Sequence, residues 1–239
     1  MIRFIEQQEN RLRFRSGGGI TVNSDCSADI RSLTKSLFTM LMNPPRFIES
    51  IRVCNGAFCS LEWHLQRMRQ TAAHWQYPLD LSLFPEEVPE EASSGVFKCR
   101  IVYDTQIREI TYSPYQPRMI RSLKLVDGGA LDYTFKYEDR SALMRLTRQK
   151  GICDDILITK DGYITDTSYS NVVLENSEGL FVPHTYLLNG TRRQRLLTEG
   201  IVQERPIRMS DLNQYNRLYL INALIGLEEN ISLSLLAVR

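Results

Sequence analysis

The chain has 239 residues, 43% of them hydrophobic, which is enough for one large domain or two small ones with full apolar cores. Lys and Arg number 29 against 28 Asp and Glu, so the formal net charge of +1 gives no extended field for nucleic acid or an anionic membrane. The longest uncharged apolar stretches, such as ISLSLLAV at 231–238, are far shorter than the roughly 20 residues of a membrane span. The segment MIRFIEQQENRLR carries charges where a signal peptide needs its apolar region. We therefore expect a cytoplasmic protein that binds neither nucleic acid nor membrane.

Cysteine and histidine usage does not indicate a metal centre. The five cysteines are odd in number and lack CxxC spacing, which is typical of reduced thiols in a chain large enough not to need disulfides. The three histidines lie far apart, and none is spaced with a cysteine or another histidine as metal ligands are. We predict no metal site.

Residues 1–43 predict a strand hairpin, a loop with three consecutive glycines at 17–19, and a helix whose apolar residues recur at helical spacing. The helix should end at Asn43, because a residue that precedes proline is pushed out of the helical region. The glycines do not form a phosphate loop, since no Gly-Lys-Ser/Thr sequence follows and no helix starts directly behind them.

The segment 46–117 predicts a small α/β domain. A strand in RFIESIRVC is followed by a turn at Asn55-Gly56, a short return strand and a helix over about 61–76. The stretches VFKCRIVYD and REITYSP add two strands. The linker-like SPYQPR then leads into a second, larger block at 118–239.

The block at 118–239 begins with a strand in RSLKLVD and a helix over 138–150. The stretch DDILITKDGYITDTSYSNVVLENSEGLFVP then alternates apolar and polar residues around two turns, at 160–162 and 176–179. This alternation is typical of a β meander.

Three features of the larger block together suggest a site. Lys136 lies where an extended stretch meets a helix, Asp166 ends a strand, and Gly190 directly precedes the helix TRRQRLL. At that helix start, the backbone N–H groups of Thr191 and Arg192 are free to bind an anion with the helix dipole behind them. An amine nucleophile, a carboxylate and a phosphate-binding helix start are the parts that a pyridoxal phosphate site needs. The alternatives are a solvated surface lysine at 136 and an ordinary hairpin end at 166.

From about residue 46 onward, the sequence resembles the class IV aminotransferases, also called fold-type IV pyridoxal phosphate enzymes. This family includes branched-chain aminotransferase, D-amino acid aminotransferase and 4-amino-4-deoxychorismate lyase. The resemblance is carried by motifs in the family's order: ESIRVCNGAFCSLEWHLQRM, KYEDR, DGYITDTSYSN and LYLINALIGL. It implies a two-domain α/β (α+β) fold like that of D-amino acid aminotransferase, pyridoxal phosphate as cofactor, a small-molecule substrate and a homodimer.

The resemblance also implies roles for single residues. Lys136 falls at the position of the lysine that bonds to the cofactor, Arg67 at that of an arginine on the cofactor phosphate, and Asp166 at that of the acid that faces the pyridine nitrogen. Asp166 stands where the family commonly has glutamate, so its carboxylate must reach the ring with one methylene less.

The helix start GTRR at 190–193 also departs from the family pattern, since many relatives have an apolar residue followed by a hydroxyl residue there. Backbone donors tolerate that change. For Arg192 and Arg193, surface charges are the alternative interpretation of the side chains. His64 is predicted to pack or cap rather than to catalyse.

Residues 1–43 do not resemble the class IV fold. They are similar to the C-terminal tail of the chorismate-binding enzymes, in particular aminodeoxychorismate synthase component I, where a strand runs into SGGGIT and a closing helix. This resemblance implies a junction, or an association, between an enzyme that makes aminodeoxychorismate and one that consumes it. It favours the lyase, which forms 4-aminobenzoate and pyruvate for folate synthesis. An aminotransferase for branched-chain or D-amino acids stays open, as does a catalytically degenerate homologue that binds only the cofactor or a partner.

Overall fold

A computed structural model describes residues 45–239, so the elements predicted for 1–43 lie outside the described residues. The described part contains two β-sheets with α-helices packed against them. The first sheet has the strand order β2-β1-β3-β4, with β1 Phe47–Cys54, β2 Ala57–Phe58, β3 Val96–Tyr103 and β4 Ile107–Pro114. The helices are α1 Leu61–His74, α2 Ser141–Thr147 and α3 Thr191–Thr198, and single 3-10 turns occupy Glu90–Ala92, Arg148–Lys150, Met209–Gln214 and Leu235–Ala237.

The second sheet has eight strands, six of which follow the order β10-β9-β8-β7-β6-β5, while β11 pairs with β8 and β12. Its strands are β5 Leu123–Asp127, β6 Asp155–Lys160, β7 Tyr163–Thr167, β8 Asn171–Asn176, β9 Gly179–Pro183, β10 Gln203–Arg205, β11 Arg217–Ile221 and β12 Ser232–Ser234. The consecutive antiparallel strands β6 to β9 form the predicted meander, whereas β5 with β6 and β9 with β10 are parallel pairs. The predicted fold class, α/β (α+β), is confirmed.

The first sheet buries the face that α1 covers. Successive residues of a strand point to opposite faces, and Phe47, Ile51 and Val53 of β1 are all fully buried. Leu61 and Met68 of α1 pack into the same apolar clusters as these residues. The period-two pattern of β1 therefore decides which side of the sheet carries the helix.

The second sheet is apolar on both faces. Leu157 and Leu174 belong to one core cluster, whereas Ile156 and Ile158 pack on the other side with Leu143 of α2. A further cluster joins strands β8, β9 and β11 to Leu196 of α3. A sheet covered on both faces needs such nearly continuous apolar strands, and this explains runs such as ILI and NVVL.

The segment before α2 is bound to the first sheet. The N–H of Ile48 in β1 donates to the carbonyl of Lys136 at 2.9 Å, and Phe47 bridges to Tyr137. Aromatic rings of Trp75, Phe135 and Tyr137 surround Phe47 at centroid distances of 5.4–6.2 Å. The backbone of Lys136 is thereby fixed by tertiary packing rather than by a helix.

The helix predicted over 138–150 is shorter than expected. It spans only Ser141–Thr147, and a 3-10 turn over Arg148–Lys150 follows it. The Asp139 carboxylate accepts the N–H of Ser141 at 2.8 Å, so residue 139 forms a turn before the helix. Gly151, with φ of 59°, ends the 3-10 turn.

The division of the larger part into segments 46–117 and 118–239 stays a prediction. Over residues 45–239, the helices are too short or too polar to cross a membrane. Within the same range, no three His, Cys, Asp or Glu side chains are arranged to hold a metal ion.

Candidate active site

A cavity lies where the Lys136 segment, the turn between β7 and β8 and the start of α3 come together. Its lining includes charged and polar side chains from distant parts of the chain. These are Arg67, Tyr133, Lys136, Arg140, Asp166, Thr167, Ser168, Tyr169, Ser170, Asn171, Thr191 and Asn222, together with Gly190 and Ala223. Five of the six residues predicted for the site therefore share one cavity, and Arg192 is the exception.

Lys136 carries the amine of this cavity. Its pKa falls from 10.5 to about 7, because burial first and the nearby cations Arg67 and Arg140 in addition lower it, while Glu49 acts in the opposite direction. An ordinary lysine is protonated at neutral pH and cannot attack a carbonyl, whereas this amine is partly neutral. The predicted nucleophile thus lies in surroundings that activate it.

We predict that the apoprotein captures pyridoxal phosphate at a rate that rises with pH through about 7 and then levels off. The physical reason is that only the neutral amine of Lys136 attacks an aldehyde, and its lowered pKa makes that form dominant above neutrality. Absorbance after rapid mixing, between about pH 6 and 9, measures the rate, and borohydride reduction with peptide mapping identifies the lysine. A rate that still rises steeply between about pH 8 and 9 would contradict an activated amine.

Arg67 of α1 is bound to a carboxylate that the sequence reasoning missed. Its Nε and Nη2 donate to the two oxygens of Glu49 at 2.8 and 2.6 Å, and Nδ1 of His64 lies 2.7 Å from Glu49 Oε2. Glu49 has no exposed surface. Burial by itself raises its pKa, but Arg67 and His64 outweigh burial and hold the pKa at about 2.

The state of His64 follows from this network. Burial lowers the pKa of His64, so the ring is neutral, and it must donate its Nδ1–H because the ionised Glu49 can only accept. The prediction that His64 packs rather than catalyses agrees with this arrangement. Two of the Arg67 nitrogens hold Glu49, and Arg67 also lines the cavity.

The sequence did contain a signal for Glu49. The alternation in FIESIRVC places residue 49 on the same face as Phe47, Ile51 and Val53, which are all buried. A carboxylate at an inward position of a buried strand needs a cation nearby. The arginine of the following helix is the partner that this reasoning would have suggested.

We predict that Arg67 contributes mainly to cofactor binding. Arg67→Ala alone would leave Glu49 buried and unpaired, at a cost of about 3–5 kcal/mol of folding stability. The informative variant is therefore Arg67→Ala/Glu49→Gln, compared with Glu49→Gln. Relative to that control, the double variant should bind pyridoxal phosphate about 10- to 100-fold more weakly, because a charge-assisted contact to phosphate is lost.

Equilibrium dialysis measures this affinity, and turnover at saturating cofactor should change less than the affinity does. Equal affinities of the double variant and the Glu49→Gln control would show that Arg67 serves only the fold.

Asp166 of β7 is held by three donors. Its Oδ2 accepts the backbone N–H groups of Leu187 and Leu188 at 3.0 and 2.9 Å, and its Oδ1 accepts Nδ2 of Asn171 at 2.8 Å. Burial raises its pKa to about 6, although these three donors act against the rise. A carboxylate has about four acceptor positions, so one on Oδ1 is left for a donor within the cavity.

The start of α3 is shaped by Asn171 and Gly190. Asn171 donates from Nδ2 to Asp166 and also to the carbonyl of Leu188 at 2.9 Å. A Cβ at position 190 would lie 2.0 Å from Oδ1 of Asn171, so only glycine fits without displacing it. Gly190 is thus required by close approach, at an ordinary φ of −65°.

Gly190 and Thr191 at the start of α3 line the cavity. The helix has no side-chain hydrogen bond at its N-cap within the described residues, so its first N–H groups keep their capacity to bind an anion. Asn222 also lines the cavity, where its Nδ2 donates to Ser170 Oγ at 3.1 Å and its Oδ1 accepts the N–H of Leu224 at 2.8 Å.

The side chains of the two arginines after Thr191 make different contacts. Arg192 does not line the cavity, and its guanidinium forms an ion pair with Glu228 at 3.4 Å, so only its backbone N–H stays a predicted anion donor. The surface interpretation is wrong for Arg193, which is only 3% exposed, and the Arg192 side chain is also largely buried. Arg193 donates to the carbonyl of Pro183 at 2.9 Å and pairs with Glu204, and so ties α3 to the second sheet.

The donor set of this cavity fits pyridoxal phosphate. An amine with a lowered pKa, a buried carboxylate with an unused acceptor position, and a helix start beside an arginine match the aldehyde, the ring nitrogen and the phosphate of that group. Lys136, Asp166, Arg67 and the backbone at Gly190 and Thr191 are the groups that would hold it.

Comparison with known proteins agrees with this chemistry. Residues 46–228 match the family of class IV amino-transferases. An uncharacterised protein from Haemophilus influenzae is 31% identical over 183 residues, which are 75% of this chain and 97% of that protein. The crystal structure of a proposed 4-amino-4-deoxychorismate lyase from Haemophilus somnus 129PT has a TM-score of 0.68 at 29% identity, covering 77% of this chain and 98% of that one.

A hypothetical aminotransferase from Mycobacterium tuberculosis, in its pyridoxal phosphate-bound form, has the same fold with a TM-score of 0.59 at 21% identity. The alignment covers 77% of this chain and 79% of that one.

The fold and the cavity define an enzyme of the fold-type IV pyridoxal phosphate class, as predicted. The chain belongs to the class IV aminotransferase family, whose enzymes depend on pyridoxal phosphate.

Proposed function

We propose that this protein is a pyridoxal phosphate-dependent 4-amino-4-deoxychorismate lyase that forms 4-aminobenzoate and pyruvate. The observation that carries the proposal is the activated amine of Lys136 in one cavity with Asp166 and the start of α3. Two similarities support the lyase in particular. One is the 29% identity to the proposed lyase from Haemophilus somnus, and the other is the similarity of residues 1–43 to the tail of aminodeoxychorismate synthase component I.

When bound, pyridoxal phosphate supplies an electron sink for the charge that develops at the substrate carbon next to the nitrogen. Arg67 and the N–H groups at the start of α3 would hold the phosphate, and Asp166 would accept a hydrogen bond from the ring nitrogen. Lys136 takes the proton from the ring carbon that bears the amine. The bond between the ring and the enolpyruvyl oxygen then breaks.

Lys136 then returns a proton to the leaving enolpyruvyl group, which becomes pyruvate. The two products together contain the atoms of the substrate, so the reaction needs no oxidant, reductant or second substrate. A pKa near 7 suits both steps, because such a group exists in its neutral and protonated forms at the working pH.

The proposal extends to the setting of the enzyme. We place it in the cytoplasm as a homodimer of folate synthesis, in association with a synthase that makes aminodeoxychorismate. The resemblance of residues 1–43 supports this association, and the class IV family resemblance supports the homodimer.

The alternative is an aminotransferase for branched-chain or D-amino acids. It would use the same Lys136, Asp166 and Arg67, so the cavity residues named above serve both reactions. The two differ in the fate of the nitrogen, since a lyase releases its cofactor unchanged and an aminotransferase must leave it aminated until a second substrate arrives. A degenerate homologue that binds the cofactor without turnover is a third outcome, and the activated Lys136 argues against it.

We predict that the purified holoenzyme, given chorismate, glutamine and a competent synthase, releases 4-aminobenzoate and pyruvate in equal amounts. Chromatography of 4-aminobenzoate, with a coupled assay for pyruvate, measures both products. Under single-turnover conditions, D-alanine, leucine or glutamate should convert little of the cofactor to its amine form. Fast stoichiometric amination by one of these amino acids, with no 4-aminobenzoate formed, would instead establish the aminotransferase.

A further inference from the structure

Arg140 lines the cavity, but no predicted role uses it. It lies four residues after Lys136 and directly before α2. Its Nη2 donates to the backbone carbonyl of Ser168 at 2.6 Å, and its Nε is buried without a partner among the described residues. The guanidinium is therefore anchored on one side by a neutral acceptor.

Arg140 differs from the other two cations of the cavity in how its positive charge is balanced. Arg67 is paired with the buried carboxylate of Glu49, and Lys136 loses much of its charge near neutral pH. Over residues 45–239, we find no carboxylate in an ion pair with Arg140. Asp155 is joined to it through Ser168, whose hydroxyl donates to Asp155 Oδ2 at 2.9 Å. An arginine so placed, at a cavity wall, favours an anion that enters from outside the chain.

Arg140 and the start of α3 contact different residues around the turn of the β7–β8 hairpin. Gly190 at the start of α3 contacts Asn171, the first residue of β8, which lies opposite Asp166. Arg140 instead binds the carbonyl of Ser168, directly after the end of β7. The predicted phosphate-binding groups and Arg140 are thus held by different residues of the same cavity wall.

We propose that Arg140 binds the carboxylate of the substrate. A planar guanidinium matches a carboxylate in charge and in the spacing of its donors, and the anchor on Ser168 holds it in place. This inference deepens the proposed function and rests on an enzyme that acts on an amine bearing a carboxylate. Aminodeoxychorismate and the amino acids both meet that condition.

The test compares carboxylates with neutral amides of the same shape. Calorimetry on the holoenzyme measures the binding of 4-aminobenzoate against 4-aminobenzamide, and of pyruvate against pyruvamide. Wild type should prefer the carboxylate in at least one pair, and Arg140→Gln should reduce that preference about 10- to 100-fold with amide binding unchanged. Arg140→Lys keeps the positive charge but loses the paired donors of the guanidinium. Its carboxylate preference should therefore lie between those of wild type and Arg140→Gln. Arg145→Gln, on the exposed side of α2, is the matched control and should behave as wild type.

Three results would overturn the proposal. These are a wild type with no carboxylate preference in either pair, an Arg140→Gln variant that keeps the preference, and a loss confined to cofactor retention. The last would assign Arg140 to the cofactor instead. The proposed lyase activity can be contradicted independently of the carboxylate site. If no 4-aminobenzoate is formed, but the preference for pyruvate over pyruvamide depends on Arg140, the carboxylate site stands and the lyase does not.

Discussion

Replacement of Lys136 by alanine should lower turnover by about 10⁴-fold or more and remove the near-visible absorbance of the lysine-bound cofactor. The reason is that Lys136 is the lysine of the cavity, and the proposed reaction uses its amine as acceptor and as donor of the same proton. Activity of the variant, the absorbance spectrum and mass spectrometry of the borohydride-reduced protein measure the effect. A variant that keeps both turnover and absorbance would remove the central assignment.

Loss of activity in this variant should not come from loss of folding. The pKa of Lys136 falls from 10.5 in the unfolded chain to about 7 in the folded protein. The folded apoprotein therefore loses stability as the pH drops through this range, because the unfolded chain binds the proton more tightly. Removing the amine removes that penalty, so the apo Lys136→Ala variant should be no less stable than wild type at pH 7 in urea unfolding. Lys124→Ala, on the exposed side of β5, is the control for both measurements.

The second large effect is expected at Asp166. Asp166→Asn keeps the shape of the side chain but removes the charge that would hold the ring nitrogen of the cofactor in its protonated form. Turnover should fall by about 10²- to 10³-fold, since electrostatic stabilisation of developing charge is lost. Steady-state rates at saturating cofactor measure it.

The pH dependence separates this role from a structural one. Burial raises the pKa of Asp166 to about 6, so the carboxylate is ionised above that pH and protonated below it. In the wild type, activity should decline as the pH falls through about 7, where Lys136 becomes protonated, and more steeply through about 6, where Asp166 does; Asp166→Asn should lack the second step. Full activity of Asp166→Asn at pH 8 would show that the ring nitrogen does not depend on this carboxylate.

Asp166→Glu tests the departure from the family pattern. The three donors from Leu187, Leu188 and Asn171 are placed for the shorter side chain, at 2.8–3.0 Å. The longer glutamate would lose some of these hydrogen bonds when its carboxylate lies at the same distance from the ring nitrogen. We therefore expect the Asp166→Glu variant to be less active than wild type. An Asp166→Glu variant faster than wild type would show that the aspartate reaches the ring poorly.

The sequence by itself determined the elements whose cause is local. The alternation in FIESIRVC predicts a strand, and the turns at 160–162 and 176–179 follow from residues that tolerate tight backbones, as Gly162 does with φ of 79°. The order of the motifs around Lys136, Asp166 and Gly190 was enough to indicate the family. Such signals depend on residues that are close together in the chain, so they can be recognised without knowledge of the tertiary packing.

The tertiary structure decided which charges are buried and what they contact. Glu49 and Arg67 are 18 residues apart and meet only because α1 packs on the inward face of β1. Arg193 looks like a surface residue in TRRQRLL, yet α3 turns it toward the second sheet. Burial, which moves the pKa of Lys136 to about 7 and that of Asp166 to about 6, comes from elements far apart in the chain, and no local pattern specifies how they pack.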